Sequence, residues 1–219
     1  MIDISEALIS IEQNTVDFGV EQIPLAQSLN RILKEDWTAD RDLPPYDRVT
    51  MDGIGIQYKQ FEKGQRHFSI QGVAAAGMPQ QILEKETHCL EVMTGSVLPN
   101  NCDTVIRYED VKIEDGIAEI VVDHLKINQN IHFKGEDRKA GSIVVEKATR
   151  ISPAEIGVGA SIGKAMVQVA RLPSIMVIST GDELVKIDET PLPHQIRRSN
   201  IYRLITPCNR SILLLKAIT

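Results

Sequence analysis

Four short polar segments carry the side chains of this sequence that are suited to chemistry. The first, residues 40–53, places the carboxylates of Asp47 and Asp52 after the Pro44–Pro45 pair. Proline fixes its own φ and disfavours helix in the residue before it, so the segment is predicted to be extended and stiff, ending in a turn at Asp52–Gly53. A stiff loop can hold a carboxylate at a small ordering cost on binding. A solvated acidic loop has the same composition, and on residue types alone it is the more common case.

The second and third segments are loops with possible anion contacts. In residues 93–96, the hydroxyls of Thr94 and Ser96 flank a glycine, so that side chains and backbone N–H groups can meet a phosphate or oxyanion together. An ordinary turn at the end of a strand is the alternative. Residues 134–137, a Gly-Glu-Asp turn after Lys134, are by residue type an ordinary surface turn, and a lysine holds a phosphate only as a point charge.

The fourth segment follows a continuous apolar run, residues 174–179, of the kind found in buried parallel strands. Ligands of open α/β sheets bind beyond the carboxyl ends of the strands. Thr180 and Gly181 are therefore placed to hold a phosphate, while Asp182 or Glu183 supplies a hard oxygen ligand for Mg²⁺.

Charge and composition exclude several classes of partner. The net charge of −6 argues against a general binder of nucleic acid or anionic membranes. The three cysteines are an odd number without metal-ligand spacing, so neither a disulfide framework nor a thiolate metal site is predicted. No run approaches 18 apolar residues, and no charged-then-apolar leader is evident. A cytoplasmic protein is the expectation.

Residue spacing predicts two amphipathic helices near the N-terminus. A capping box of Asp3 and Glu6 opens the first, and the second is predicted to begin at Pro24. Their apolar faces would be formed by Ile4, Leu8 and Ile11, and by Leu25, Leu29, Ile32 and Leu33. Trp37 is predicted to be a core or interface anchor.

Beyond Gly53 the pattern changes to short strands. Strands are predicted over residues 54–58, 67–73, 89–93, 104–113, 117–122 and 142–145. The sequence Glu114–Asp115–Gly116 predicts a hairpin turn. A small β-barrel or sandwich is favoured over βαβ units.

The rest of the chain is predicted to be mixed. A capping box of Ser152 and Glu155 predicts a helix over residues 153–164, whose glycines indicate close packing against another backbone. A strand over 166–170 and a linker over 171–173 follow, and the run at 174 then begins an α/β domain.

The motif Leu43-Pro-Pro-Tyr-Asp-Arg-x-x-Met-Asp-Gly53 resembles the molybdopterin molybdenumtransferases, the family of MoeA and the gephyrin E-domain. The likeness extends through Met93-Thr-Gly, Gly135-Glu-Asp, Thr180-Gly-Asp-Glu-Leu and Ser199-Asn, from about residue 2 to about residue 204. Three positions depart from the family pattern: Val49 replaces a serine, Ile54-Gly55 replaces Tyr-Ala, and His132, Phe133 and Lys134 stand where the family has a basic pair.

The resemblance implies an α+β multidomain fold. An elongated helical/β domain (residues 1–45 and 141–172) would carry an inserted β-rich, barrel-like domain (46–140). The incomplete start of an α/β, MogA-like molybdopterin-binding domain (173–219) would follow. The tail is expected to be held loosely, because a single parallel strand cannot bury both of its faces.

The resemblance also implies a site in one cleft. Asp52, Asp137 and Glu183 would be catalytic, and Asp52, Asp182 and Glu183 would be metal ligands. The cofactor-binding residues would be Thr94, Ser96, Thr180, Gly181, Ser199 and Asn200.

The implied function is the last step of molybdenum cofactor biosynthesis, in which this transferase family inserts molybdate into adenylylated molybdopterin, with Mg²⁺, and releases AMP. The chain is expected to be a truncated version of weak or no activity. A homodimer is implied, and molybdopterin adenylyltransferase and molybdoenzymes are possible partners; nucleic acid and membranes are not. The alternatives are a non-catalytic dimerising or peptide-binding scaffold of the same family, and a carbohydrate- or peptide-binding β domain.

Overall fold

The structure is a computed structural model that describes residues 3–210 and 214–218. Its helices are α1 (Ile4–Gln13), α2 (Tyr58–Glu62), α3 (Pro153–Ser161) and α4 (Asn200–Arg210). The strands in the first half of the chain are β1 (Val20–Pro24), β2 (Trp37–Thr38), β3 (Arg48–Val49), β4 (Gly53–Ile56), β5 (His67–Ala74), β6 (His88–Val92) and β7 (Thr104–Arg107). Those in the second half are β8 (Val111–Glu114), β9 (Ile117–Ile120), β10 (Ile131–His132), β11 (Ile143–Val145), β12 (Met166–Ala170), β13 (Ser174–Ile178), β14 (Leu184–Val185), β15 (Ile196–Arg197) and β16 (Leu214–Ile218).

Backbone contacts divide the chain into two compact units. One comprises Met1–Trp37 and Val145–Thr219, and the other, Thr38–Val144, is inserted between them in sequence. We call them the outer unit and the inserted unit. The sequence-based division into three domains stays a prediction.

The inserted unit is built on a six-stranded mixed sheet in the order β7-β4-β6-β5-β9-β8. Strands β5 and β6 run parallel, and the other neighbours are antiparallel. The predicted hairpin is confirmed, since β8 and β9 pair around Asp115–Gly116. The strand predicted over 104–113 is interrupted by a 3₁₀ turn at Tyr108–Asp110.

This sheet is buried on both of its faces. One core cluster contains Val49, Leu90 and Val92, and the other contains Ile54, Phe68 and Ile106. Successive residues of β4 point to opposite faces, so its isoleucines enter one cluster while Gly55 lies against Cys102 and Val92 of the other. The Ile-Gly alternation of β4 therefore fits a strand that is packed on both sides.

In the outer unit, the helix predicted from Pro24 is wrong. Pro24 is the last residue of β1, which pairs with β12 along its whole length. Only a 3₁₀ turn, Leu25–Gln27, follows it. Asn30 then takes a positive φ of 66°, and Leu33 exchanges backbone hydrogen bonds with Thr149 and Ala148. Long-range backbone pairing has overridden the helical spacing of the apolar residues.

The two capping boxes and the two helices that they open, α1 and α3, are confirmed. Helix α3 ends at Ser161 because Gly163 adopts φ 76° and Lys164 N–H bonds back to Gly159 O. Trp37 is a fully buried core residue.

A prediction for the outer unit concerns the packing of α3 on Trp37. A Cβ at Gly159 would lie 2.9 Å from Leu25 Cδ1 and 3.0 Å from Trp37 Cζ3, whereas nothing lies within 4 Å of one at Gly157. Both glycines lie in α3, so helix propensity is gained equally in either alanine variant. In denaturant titrations, the free energy of unfolding of Gly159→Ala should therefore be about 1–3 kcal/mol lower than that of Gly157→Ala. Equal stability would show that the helix can move away from Trp37.

The C-terminal segments of the outer unit form two short parallel pairs, β13 with β16 and β14 with β15. The strand of the apolar run at 174–178 thus has a neighbour in Leu214–Ile218, and the expectation that it lacks one is wrong. Residues 211–213, which include the first two residues of the apolar run Ile212–Leu215, lie outside the described residues.

Within the described ranges, no helix combines the length and apolar character needed to cross a membrane.

Candidate functional site

Residues 40–53 hold two other segments of the inserted unit in place through backbone hydrogen bonds. Val49 exchanges bonds with the loop after β6, accepting from Gly95 N–H and donating to Ser96 O at 2.9 and 3.0 Å. Leu43 accepts from Asp137 N–H at 2.9 Å and from Arg138 N–H at 3.1 Å. The segment therefore sets the positions of two of the predicted site loops, 93–96 and 134–137.

Asp52 and Thr94 meet directly. Asp52 Oδ1 accepts from the Thr94 backbone N–H at 2.6 Å and from the Thr94 hydroxyl at 2.8 Å. These two donors hold the pKa of Asp52 below its ordinary value of 3.8, the backbone N–H being the larger cause. Both side chains are exposed, and no described residue donates to Asp52 Oδ2. The result is an ionised carboxylate that is fixed through one oxygen and presents the other to solvent.

Removing one of these donors should change the titration of Asp52. In Thr94→Val the hydroxyl is lost and the N–H remains, so the pKa of Asp52 should rise part of the way toward 3.8. An NMR titration of the Asp52 carboxyl measures this shift. Exposed Thr87, which makes no hydrogen bond to Asp52, supplies the control Thr87→Val, which should change nothing.

The sign of the linked effect on stability follows from the lowered pKa. The stabilisation from Asp52 is fully present above about pH 3.8 and is lost as the pH falls through its lower value in the folded protein. In Thr94→Val that contribution should be smaller, and its loss should be complete at a higher pH than in the wild type. An unchanged titration in Thr94→Val would show that the hydroxyl does not bind the carboxylate in solution.

Ser96 is placed differently from Thr94. It is 1% exposed, and its hydroxyl is buried without a hydrogen-bond partner among the described residues. Its backbone N–H donates to Met93 O, which closes the turn that presents Thr94. A cofactor-binding role for Ser96 stays a prediction.

Asp137 belongs to a chain of polar side chains. Its Oδ1 lies 3.0 Å from His132 Nε2, and His132 Nδ1 lies 3.0 Å from Arg48 Nη2. The Asp137 side chain is 59% exposed and that of His132 is 22% exposed. In the same loop, Lys134 N–H donates to Asp47 Oδ1 at 2.8 Å. Asp47 therefore anchors the loop, and the loop leaves the Asp137 side chain largely exposed.

The remaining predicted residues lie in the outer unit, around β14 and β15. Thr180, Gly181, Asp182 and Glu183 form an exposed loop between β13 and β14. Gly181 has φ 140°, and a Cβ there would lie 2.6 Å from both carboxylate oxygens of Glu183. The loop thus favours glycine at this position, because L side chains rarely adopt such a positive φ.

Ser199 and Asn200 also lie in the outer unit, at the step from β15 into α4. Both are exposed, and Asn200 is the first residue of the helix. Ile196 N–H donates to Glu183 O at 2.8 Å, so the pairing of β14 with β15 fixes the start of this step relative to the Glu183 loop.

Sequence reasoning missed the support for Asp52 provided by Tyr108. Tyr108 N–H donates to Asp52 O at 3.1 Å, and its hydroxyl donates to Glu91 Oε2 at 2.8 Å. Burial, followed by the hydrogen bond to Glu91, raises the pKa of Tyr108. The phenol therefore stays protonated, and it fixes the 3₁₀ turn beneath Asp52. No signal in the sequence pairs Tyr108 with Asp52.

No group of three or more His, Cys, Asp or Glu side chains arranged to hold a metal occurs in the part of the chain that the structure describes. Mg²⁺, however, usually keeps several waters and binds through one or two carboxylates plus substrate phosphates. The exposed Asp52 Oδ2 is an ionised carboxylate oxygen, the type of atom that such an ion prefers.

Comparison with known proteins gives one consistent result. Residues 2–163 match the family model described as the MoeA N-terminal region (domain I and II). A molybdopterin molybdenumtransferase from Synechocystis sp. is 42% identical over 205 residues, covering 93% of this chain and 53% of that protein. One from Staphylococcus aureus is 33% identical over 204 residues, covering 91% and 48%.

A solved structure agrees with these matches. The molybdopterin biosynthesis MoeA protein of Pyrococcus horikoshii has a TM-score of 0.83 at 25% identity, with 94% of this chain and 55% of that chain covered. The chain spans about half the length of the curated relatives that it matches.

Proposed function

Since this chain belongs to the MoeA family, we propose that it serves molybdenum cofactor biosynthesis as a molybdopterin molybdenumtransferase, which inserts molybdate into adenylylated molybdopterin and releases AMP. The observation that supports this most is the Asp52 carboxylate, fixed by Thr94 through one oxygen and open at the other. A substrate that carries a pyrophosphate needs charge compensation more than covalent catalysis.

Mg²⁺ is the cofactor that fits these residues. Asp52 stays ionised because its pKa is lowered, and an ionised carboxylate oxygen is a preferred Mg²⁺ ligand. Asp182 and Glu183 would supply similar oxygens in the outer unit. When bound, the ion would offset charge on the pyrophosphate during its cleavage.

The chain's own residues would bind and orient the substrate. Thr94, Thr180, Gly181, Ser199 and Asn200 offer exposed hydroxyl, amide or backbone N–H groups to phosphate and molybdate oxygens. Asp137 in the inserted unit would orient the attacking water, because a carboxylate repels the anions directly but accepts a proton from water. A catalytic role for Glu183 in the outer unit stays a prediction.

The alternative is a non-catalytic scaffold of the same family. Helix α1 has no buried residue, and its apolar side chains Ile4, Leu8 and Ile11 are all more than half exposed. Such a face suits association with another protein. The scaffold and the enzyme differ in whether the chain binds the nucleotide.

Calorimetric titration with adenylylated molybdopterin tests the proposal. Binding should require Mg²⁺ and should disappear on addition of EDTA. No binding at all would favour the scaffold, and a heat of binding that is the same with and without Mg²⁺ would contradict the role proposed for the ion. Free AMP serves as the control, because it lacks the pterin and the pyrophosphate.

We also propose a homodimer, supported by the exposed apolar face of α1. Light scattering at increasing protein concentration should give a mass that rises toward twice 24.4 kDa. Ile4→Ser together with Leu8→Ser should shift the association to higher concentration, with Glu12→Gln on the same helix as the control. A monomeric mass at every concentration would refute the dimer.

A further inference from the structure

His132 lies between two charged groups that fix which of its nitrogens carries the proton. It stands directly opposite Arg48 in the antiparallel pairing of β10 with β3, so the two side chains share one face of this ribbon. Arg48 Nη2 is 3.0 Å from His132 Nδ1, and Asp137 Oδ1 is 3.0 Å from His132 Nε2.

The hydrogen-bonding capacity of arginine decides the tautomer. A guanidinium has donors and no acceptor, so His132 Nδ1 must accept and therefore carries no proton. A neutral imidazole then has its proton on Nε2, which donates it to Asp137 Oδ1. A second proton on His132 Nδ1 would point this N–H at an N–H of Arg48, with no acceptor between them. It would also place an imidazolium beside the guanidinium.

The other charged group near the ring does not change this assignment. Glu136 Oε2 lies 3.8 Å from His132 Nε2, beyond hydrogen-bonding distance, and accepts instead from Phe133 N–H at 3.0 Å. The carboxylates of Asp137 and Glu136 both lie on the Nε2 side of the ring, and Arg48 lies on the Nδ1 side. The charges around His132 therefore favour a proton on Nε2.

The backbone of Asp137 is already fixed, since its N–H donates to Leu43 O. What remains free is rotation of its exposed carboxylate, and the hydrogen bond from His132 removes that freedom. No described residue donates to Asp137 Oδ2. One oxygen is thus held while the other faces solvent, as at Asp52.

We propose that His132 is a positioning residue for Asp137: as the neutral Nε2–H tautomer imposed by Arg48, it holds the carboxylate in the orientation that the reaction uses. The assignment of a role in the reaction rests on the proposed function, whereas the hydrogen-bond chain is a property of the ligand-free protein. The segment is one where the sequence departs from the basic pair of the family pattern.

The tautomer is measured by long-range ¹H–¹⁵N correlation spectra of the ligand-free chain at pH 8. The wild type should show His132 with a proton on Nε2 and none on Nδ1. In Arg48→Met, which keeps the apolar stem and removes the donors, the ¹⁵N signal of His132 Nδ1 should shift because its hydrogen bond is lost, while Asp137 still holds the proton on Nε2. A proton on Nδ1 in the wild type, or an Nδ1 signal unchanged in Arg48→Met, would overturn the proposal.

The positioning itself is measured by the side-chain scalar couplings of Asp137. The wild type and His132→Gln, which retains an N–H donor, should show one rotamer, whereas His132→Leu should show rotamer averaging. Averaging in the wild type, or a single rotamer in His132→Leu, would overturn it. Neither measurement needs a ligand, so a failure here is separate from a failure of the nucleotide titration.

Discussion

Asp52→Asn should strongly weaken Mg²⁺-dependent nucleotide binding and leave the fold intact. The asparagine oxygen can still accept from Thr94, so the loop geometry is preserved, but the negative charge that a metal requires is lost. An exposed carboxylate contributes little to core stability, and the melting temperature should stay close to that of the wild type. We expect the affinity to fall by roughly 100-fold, about 2.7 kcal/mol.

The matched control for this variant is Asp123→Asn, which removes one charge from an exposed position in the same unit. It should retain the wild-type affinity within about a factor of two, because an exposed carboxylate that makes no hydrogen bond to Asp52 or Thr94 interacts only weakly through solvent. If Asp52→Asn binds as tightly as Asp123→Asn, Asp52 is not a ligand of the metal.

Gly53→Ala should be the most destabilising of the simple substitutions in the inserted unit. A Cβ at Gly53 would overlap the carbonyl oxygen of Ile106 and lie 2.7 Å from its carbonyl carbon and 2.9 Å from Arg107 Cα. All three atoms are backbone of β7, which cannot move without breaking the pairing of β4 with β7 in the sheet. We expect a loss of about 4 kcal/mol or more in the free energy of unfolding.

Gly72→Ala is the comparison for this effect. Gly72 lies in β5 of the same sheet, and its nearest neighbour to an added Cβ is Leu90 Cδ2 at 3.6 Å, an ordinary contact. Denaturant unfolding should show Gly72→Ala close to the wild type and Gly53→Ala far below it. Similar stabilities for the two variants would contradict the close approach of β4 and β7.

Local patterns in the sequence predicted the parts of the fold that depend on local physics. The capping boxes at Asp3 and Ser152 act within one helical turn, and Asp115–Gly116 acts within one hairpin. Each was confirmed because the interaction that specifies it lies within a few residues.

The predictions that were wrong concern residues whose structure depends on long-range pairing. Residues from Pro24 to Leu33 have helical spacing, but their backbone bonds to residues more than a hundred positions away, such as Thr149 and Ile151. The sequence predicts a turn at Gly53, whereas this residue begins β4. Its missing side chain permits a close approach of β4 to the backbone of Ile106 in β7. Neither effect leaves a trace in the local sequence.

The candidate site shows the same limit. The motifs identified Asp52, Thr94 and Asp137, and the structure places Asp52 and Thr94 in contact. The supporting residues His132 and Tyr108 were not identified, because their roles depend on strand register and on a 3₁₀ turn. A single sequence does not specify either feature.

The most direct test of the account replaces Mg²⁺ by paramagnetic Mn²⁺, which prefers the same oxygen ligands. With adenylylated molybdopterin present, Mn²⁺ should broaden the Thr94 amide signal strongly, since that N–H bonds to the Asp52 carboxylate, and should leave Gly116 in the β8–β9 hairpin turn sharp. The broadening should vanish in Asp52→Asn. A Thr94 signal that stays sharp, or that broadens equally in Asp52→Asn, would contradict a metal at Asp52.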